Sequence, residues 1–489
     1  MTLGRLCGAS FPLGDSGAAP ITGLTADSRD VQPGYLFAAL AGTKTDGARF
    51  IADALARGAA AILTGEDAEL DAASGVPVIR DANPRQALAL MAARFYGRQP
   101  EIIAAVTGTN GKTSVAAFLR QIWEAGGFAA ASLGTTGILF RGDEHPLAHT
   151  TPDPVSLHAS LADLAARGAT HLAFEASSHG LAQYRADGVK LAAGAFTNIS
   201  RDHLDYHPDF ADYFRAKMRL FTELLQPGQP AVIDVDSEAG EEAAEIARAR
   251  GLRLITVGRQ GDTLRLLASE RDGFGQRLDV RFEGRPRSLR LPLAGDFQAS
   301  NVLVALGLAL ATDTPADIAF AAAERLRGAK GRLELVAHAP SGGPIFIDYA
   351  HTPDALENAI RALRPYAAGK LHAVFGCGGD RDRGKRPEMG AIAARLADRV
   401  IVTDDNPRSE DPAAIRAEIL AAAPGATEIG DRREAIAAAI AAMAKGDVLL
   451  IAGKGHETGQ IVGHTVIPYS DHEAVAALIG GREKKVSHG

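Results

Sequence analysis

Thr107-Gly108-Thr109-Asn110-Gly111-Lys112-Thr113-Ser114 is the stretch that decides how this chain is read. An apolar run of β type, Ile102-Ile103-Ala104-Ala105-Val106, precedes it. After it, Val115, Phe118, Leu119, Ile122 and Trp123 recur at helical spacing. Strand, glycine-bearing turn and helix in that order form the context of a phosphate-binding loop. Its glycines let backbone N–H groups approach phosphate oxygens, and the start of the helix favours negative charge. In such a loop Lys112 would offset charge on the β- and γ-phosphates of ATP, and the Thr113 hydroxyl would ligate Mg²⁺. The first glycine of the usual eight-residue pattern is Val106 here. Without a ligand, the same stretch is simply a tight strand-to-helix turn.

Outward from this loop the same unit recurs: a short β-branched run, a turn with Gly or Asp, then an Ala/Leu-rich helix. That alternation predicts an α/β protein with largely parallel sheets. Residues 1–99 read as a small α/β domain, with strands at 35–40, 60–63 and 76–79 and helices at 50–57 and 84–96. Residues 100–330 read as a central P-loop ATPase domain, with strands at 102–106, 172–175 and 195–199, a β-rich stretch at 253–293 and a helix at 301–311. Gly328-Ala329-Lys330-Gly331 reads as a hinge. Residues 331–489 read as a Rossmann-like, doubly wound domain with strands at 345–347, 373–375, 400–402 and 448–451. In such sheets ligands bind beyond the carboxyl ends of the strands. The loops there are rich in chemistry: Asp348-Tyr349-Ala350-His351, Gly376-Cys377-Gly378-Gly379-Asp380, Asp404-Asp405-Asn406-Pro407-Arg408 and Gly453-Lys454-Gly455-His456-Glu457. The second loop lacks Gly-x-Gly-x-x-Gly spacing, which argues against NAD.

The 489 residues accommodate about three domains. Hydrophobic residues make up 46% and charged residues 23%, which excludes wholesale disorder. A formal charge of −7 and an aromatic content of 6% exclude broad binding of nucleic acid. Cys7 and Cys377, the two cysteines, cannot make a disulfide framework and suit a reducing compartment. Neither a signal-peptide core nor an 18-residue apolar run is present, so a cytoplasmic protein without membrane contact is expected.

Two more strand ends suggest metal chemistry. Glu175, in Phe174-Glu175-Ala176-Ser177-Ser178-His179, offers the carboxylate oxygen that Mg²⁺ prefers. His203, in Arg201-Asp202-His203-Leu204-Asp205, is an unusual Mg²⁺ ligand and by itself reads as structural. Lys217, in Tyr213-Phe214-Arg215-Ala216-Lys217-Met218, by itself reads as an ordinary surface lysine.

Taken together, the Thr107–Thr113 loop, Glu175-Ala176-Ser177-Ser178 and Asp202-His203 resemble the Mur ligases, ATP-dependent amide-forming enzymes of peptidoglycan precursor synthesis. The resemblance spans the chain. It includes Asp27-Ser28-Arg29, Thr150-Thr151-Pro152-Asp153-Pro154, Gly295–Asn301, Gly331-Arg332-Leu333-Glu334 and Asp348-Tyr349-Ala350-His351-Thr352-Pro353. It implies that Ser28, Thr150, Thr151, Ser177, Gln183 and Arg185 hold a UDP-N-acetylmuramoyl dipeptide. It implies nucleotide contacts from Gly108, Thr109, Asn110, Gly111, Lys112, Thr113, Ser114, Asn301, Arg332, Asp348 and His351. Thr113, Glu175 and His203 become metal ligands, and Lys217 becomes an N6-carboxylysine that helps hold a second Mg²⁺. Lys112, Glu175, His203 and Lys217 form the implied catalytic set.

The resemblance also implies an amino-acid site formed by Arg381, Asp405, Asn406, Arg408, Gly453 and Glu457. In this family the Asp-Asn-Pro-Arg form goes with meso-diaminopimelate, and lysine-adding relatives lack the arginine. The physical reason is that a guanidinium can hold the distal carboxylate of diaminopimelate in bidentate fashion and would repel the distal amine of lysine. Glu457 suits an ammonium group. The expected product is an amide formed through an acyl phosphate, by a monomer whose third domain closes about 328–331 to keep water out. The alternatives at this stage are an L-lysine-adding ligase, a folylpolyglutamate synthetase-like ligase and a P-loop switch protein.

Overall fold

The structure, a computed structural model, describes residues 1–8, 14–42, 46–68, 75–200, 202, 206–237 and 239–483. Contacts divide the chain into two compact units, 1–265 with 303–319, and 266–302 with 320–489. The strand Leu264–Asp272 and the helix Phe297–Ala311 each run across that division.

The first unit holds two sheets. A four-stranded sheet runs in chain order through Gly23–Thr25, Tyr35–Ala39, Ala61–Gly65 and Val78–Asp81, all parallel. Leu36, Ala38, Ala61 and Leu63 pack here against Leu88, Met91 and Ala92 of the helix Pro84–Tyr96. Asn83 caps that helix by accepting from Gln86 N, and Pro84 occupies its first turn, where a missing N–H costs nothing.

The larger sheet places the phosphate-binding loop. In the first unit its strands run in the order Arg253–Gly258, Pro230–Asp234, Ala193–Phe196, Ile102–Thr107, His171–Glu175, Ala130–Gly134, Gly137–Phe140, Asp143–His145. The first six are mutually parallel. Ile102–Thr107 therefore lies between Ala193–Phe196 and His171–Glu175, and the carboxyl ends of all three share one edge. Adjacent strands are about 4.8 Å apart, so the three loops that follow them must touch. The helix Lys112–Ala125 packs Val115, Phe118, Leu119, Ile122 and Trp123 inward, all buried, as their spacing predicts. Trp123 Nε1 donates to Thr312 Oγ1 at 3.0 Å, so the indole is buried without losing its hydrogen bond.

The sequence reading carries one strand too far. Expected to reach Ile199, it stops at Phe196. Thr197 and Asn198 leave the ladder because they bond to the phosphate-binding loop instead.

The second unit holds a six-stranded sheet in the order Glu334–His338, Pro344–Asp348, Val448–Ala452, Leu371–Phe375, Arg399–Val402, Thr427–Glu428. Only the first pair is antiparallel. Apolar clusters cover both faces, as a buried parallel sheet requires. The stretch 328–331 lies inside this unit. Cys7 and Cys377 are both buried and unbridged. Among the described residues no helix is long and apolar enough to cross a membrane.

Candidate active site

Glu175 lies at the centre of the site in the first unit. It closes its strand with 1% exposure, so each carboxylate oxygen must find donors. Oε1 accepts from Thr135 N at 2.9 Å. Oε2 accepts from the hydroxyls of Thr113 and Thr135, each at 3.0 Å. The close approach depends on Gly134, where an added Cβ would stand 2.0 Å from Glu175 Oε1. Thr135 Oγ1 continues the network to Thr150 Oγ1 at 3.0 Å. Thr151 Oγ1 donates to the Glu175 carbonyl at 2.9 Å and accepts from the backbone N–H and hydroxyl of Ser177, each at 3.0 Å. Arg185 donates to the Thr151 carbonyl at 2.8 Å and to Gln183 Oε1, while Gln183 Nε2 donates to the Tyr206 hydroxyl. Thr113, Thr150, Thr151, Glu175, Ser177, Gln183 and Arg185 thus form one connected hydrogen-bonded chain.

The loop itself is held from the neighbouring strand end. Thr109 N donates to the Asn198 carbonyl at 2.8 Å, Asn110 N to Asn198 Oδ1 at 3.0 Å, and Thr197 Oγ1 to the Asn110 carbonyl at 2.7 Å. Gly111 takes a left-handed conformation at the helix start. Ser114, on the first turn of that helix, is buried. Lys112 Nζ donates to the Gly108 and Thr109 carbonyls at 2.8 and 2.9 Å.

Lys217 is no surface residue. Its side chain is buried, Nζ donates to the Gly108 carbonyl at 2.7 Å, and the ammonium sits 4.3 Å from the centre of the Tyr213 ring. Burial, then the nearby Lys112 ammonium, push its pKa well below the usual lysine range, and Asp202 pulls the other way. A lysine in that environment is biased toward the neutral, nucleophilic amine. Its helix, Phe210–Arg219, is capped by Asp209, which accepts from Asp212 N. Tyr213 OH lies 3.0 Å from Thr109 Oγ1 and so ties the helix to the loop. His203 lies outside the described residues.

Ser28 stands apart from this network, buried at the start of the short 3₁₀ turn Ser28–Asp30 that Asp27 caps.

In the second unit the strand-end loops gather charged groups. Asp348 Oδ2 accepts from Leu333 N at 2.6 Å and Oδ1 from Ala350 N at 2.7 Å. The Arg332 guanidinium lies 4.8 Å from the centre of the Tyr349 ring. His351 Nδ1 is 2.8 Å from the Tyr349 carbonyl. Asn301 is buried in its helix and donates to Gln298 Oε1 at 3.0 Å.

Asp405 and Asn406 are buried, and Asn406 Nδ2 donates to Glu457 Oε2 at 2.9 Å. Gly453 has φ +110° and passes so close to Asp405 that an added Cβ would be 2.6 Å from Oδ2. Arg408 holds a left-handed backbone at φ 50°. The hairpin Gly459–Val462/Thr465–Pro468 secures it: Arg408 N donates to the Ile461 carbonyl at 3.0 Å and Gly463 N to the Arg408 carbonyl at 2.7 Å. Arg408 Nη1 donates to the Gly379 carbonyl at 2.8 Å. Arg381, by contrast, is exposed and donates to the Asp380 carbonyl. Arg386, wholly buried between Glu410 and Glu418, donates to the Gly378 carbonyl and so steadies the 376–380 loop.

Sequence reasoning gave no role to Thr135, Asn198 or Tyr213, although Tyr213 stands in the stretch quoted for Lys217 and Asn198 in the strand expected at 195–199. It also passed over Lys454, whose only sequence signal is a lysine between two glycines.

Three family models match the chain: the Mur ligase family catalytic domain over residues 20–96, the Mur ligase middle domain over 106–309 and the Mur ligase glutamate ligase domain over 331–455. The UDP-N-acetylmuramoyl-L-alanyl-D-glutamate–2,6-diaminopimelate ligase of Brucella melitensis is 57% identical over 471 residues, covering 96% of each chain. Its counterpart from Bradyrhizobium diazoefficiens is 59% identical over 95% of this chain and 96% of its own. A solved ligase of the same name superposes with a TM-score of 0.72 at 32% identity, over 99% of both chains. The MurF ligase of Thermotoga maritima in complex with ADP shares the fold, with a TM-score of 0.62 at 18% identity over 96% of this chain and 99% of its own. With three matched segments in order and more than half of all positions identical to these relatives, the chain belongs to the Mur ligase family.

Proposed function

We propose that this chain is the ATP-dependent ligase that adds meso-diaminopimelate to UDP-N-acetylmuramoyl-L-alanyl-D-glutamate in peptidoglycan precursor synthesis. The observation that carries the reading is 57% identity over nearly the whole length to a ligase of that name. The geometry supports it with a guanidinium, Arg408, and a carboxylate, Glu457, that both bond to Asn406, the first at its carbonyl and the second at its amide nitrogen. That pairing matches a zwitterion that carries an extra carboxylate.

The reaction follows from what the residues can do. The γ-phosphoryl of ATP passes to the free γ-carboxylate of the D-glutamyl residue and ADP leaves. The acyl phosphate so formed is a good electrophile. The amine of diaminopimelate attacks its carbonyl carbon, phosphate departs and the amide remains. Loop N–H groups and Lys112 neutralise charge on the transferred phosphoryl group. Arg185, Gln183 and the Thr151–Ser177 pair orient the UDP-sugar dipeptide, with Ser28 on its nucleotide-sugar end. Asn301, Arg332, Asp348 and His351 serve the nucleotide, and Arg381, Asp405, Asn406, Arg408, Gly453 and Glu457 serve the amino acid. Glu175 with the Thr113 hydroxyl supplies the hard oxygen donors that suit Mg²⁺, and carbamylated Lys217 would add another. Bound there, the ion would offset phosphate charge. A depressed lysine pKa favours that modification, because carbon dioxide reacts with the neutral amine.

The test is ADP release and product mass with ATP, the UDP-sugar dipeptide and a panel of diaminopimelate, L-lysine and L-glutamate. Sustained release over many turnovers is expected only with dipeptide and diaminopimelate together. A preference for lysine would overturn the Arg408 argument, and release without the dipeptide would favour a switch protein.

A further inference from the structure

Lys454 has no place in the scheme above, yet it is wholly buried. Its Nζ donates to Asn406 Oδ1 and to Glu457 Oε2, each at 3.0 Å, and stands 4.0 Å from Asp405 Oδ1. A buried ammonium is expensive, and an apolar side chain of similar volume often serves stability equally well. The contacts point to a different use.

They fix both neighbours. Asn406 Oδ1 accepts from Lys454 Nζ and from Ile461 N at 3.0 Å, which sets the orientation of the amide and turns Nδ2 toward Glu457. Glu457 Oε2 then takes two donors, Asn406 Nδ2 and Lys454 Nζ, and these contacts leave Oε1 unengaged. The charges of Asp405, Glu457 and Lys454 sum to minus one, the balance suited to a single ammonium.

We propose that Lys454 is the positioning residue of the amino-acid site: it locks Asn406 and Glu457 so that Glu457 Oε1 receives the ammonium of the incoming amino acid. This rests on the function proposed above. It acts through Glu457 and touches no reacting atom.

The experiment measures KM for all three substrates, kcat and thermal unfolding for wild type, Lys454→Met, Glu457→Gln and the double variant. Loss of a charge-assisted contact predicts a KM for diaminopimelate raised about 10- to 100-fold in Lys454→Met, with the KM values for ATP and dipeptide within about threefold of wild type. Because the lysine works through Glu457, the double variant should lie within about threefold of Glu457→Gln alone. The double variant also removes the uncompensated carboxylate, so it carries the comparison if Lys454→Met does not fold. Equal shifts in all three KM values, a lowered unfolding temperature with unchanged KM, or additive effects in the double variant would each overturn the proposal. If wild type shows no diaminopimelate-dependent ADP release, the functional reading falls and this inference with it.

Discussion

In the first unit Glu175 accepts from two threonine hydroxyls and one backbone N–H, and among the described residues no lysine or arginine bonds to it. In the second unit Glu457 Oε2 accepts from a buried lysine and an asparagine amide. The first environment surrounds the carboxylate with neutral donors, which suits it to an external cation of the kind a metal-assisted phosphoryl transfer uses. The second pairs one oxygen with an ammonium of the protein itself and leaves the other for the recognition role proposed above. The chain therefore carries two kinds of carboxylate environment, one buried among neutral donors and one half-buried beside an ammonium, which suits the first to charge stabilisation and the second to selectivity in the function proposed above. The cations divide in the same way. Lys112 and Lys217 both donate to the Gly108 carbonyl, whereas Lys454 is paired with side chains.

Breaking the phosphate side should have the largest effect. Lys112→Ala removes the ammonium proposed above to neutralise the transferred group and should lower kcat about 10³-fold or more. The fold should persist, because Lys112 is partly exposed and donates to carbonyls of its own loop. Rapid-quench measurement of ADP formation checks it, and a variant retaining full product formation would remove Lys112 from the mechanism.

The next effect tests the carboxylate without touching it. In Gly134→Ala the new methyl would meet Glu175 Oε1 at 2.0 Å and Cγ at 2.5 Å, so the carboxylate must shift. We expect about a 100-fold fall in kcat and a higher Mg²⁺ concentration for half-maximal rate. Overpacking adds about 1–3 kcal/mol of destabilisation. An unchanged Mg²⁺ profile would mean that Glu175 does not hold the ion.

These two variants also show what a sequence can reveal. Lys112 was legible because strand, turn and helix are local patterns, and the apolar spacing of Val115 to Trp123 fixes which way the helix faces. Gly134 was not, because it matters only through a side chain on the neighbouring strand. Thr135 and Glu175 are 40 residues apart, and Asn406 and Lys454 are 48 apart. Such pairs are made by strand order, which periodicity does not encode. Lys217 shows the same limit: its stretch alone reads as surface, and its burial comes from the loop its helix packs against. The strand expected to reach Ile199 ended at Phe196 for a related reason, since Thr197 and Asn198 bond to residues about 90 positions earlier.

Arg408→Lys sharpens the recognition side. The backbone there is held by the hairpin whatever the side chain, so the variant should fold. Lysine keeps the charge and loses the bidentate fork. We expect KM for diaminopimelate to rise about tenfold, with kcat nearly unchanged. Competition between diaminopimelate and L-lysine, read by product mass, would show whether discrimination falls with it.

The smallest effect is one of pH. Burial, and then the Arg332 guanidinium, push the His456 imidazole down to about 4. In the unfolded chain it titrates near 6.5. Between those values the unfolded chain binds a proton that the folded chain refuses, so acid favours unfolding. His456 should cost the second unit about 1–2 kcal/mol between pH 7 and pH 4, a figure reduced for its partial exposure. In His456→Gln nothing titrates there, so the variant should lose that much less stability over the same interval. Denaturant midpoints of both chains at pH 7 and pH 4 measure the difference. Parallel losses in the two chains would mean that the imidazole gains its proton without unfolding, and that the groups around Arg332 are open enough to water to hold a second positive charge.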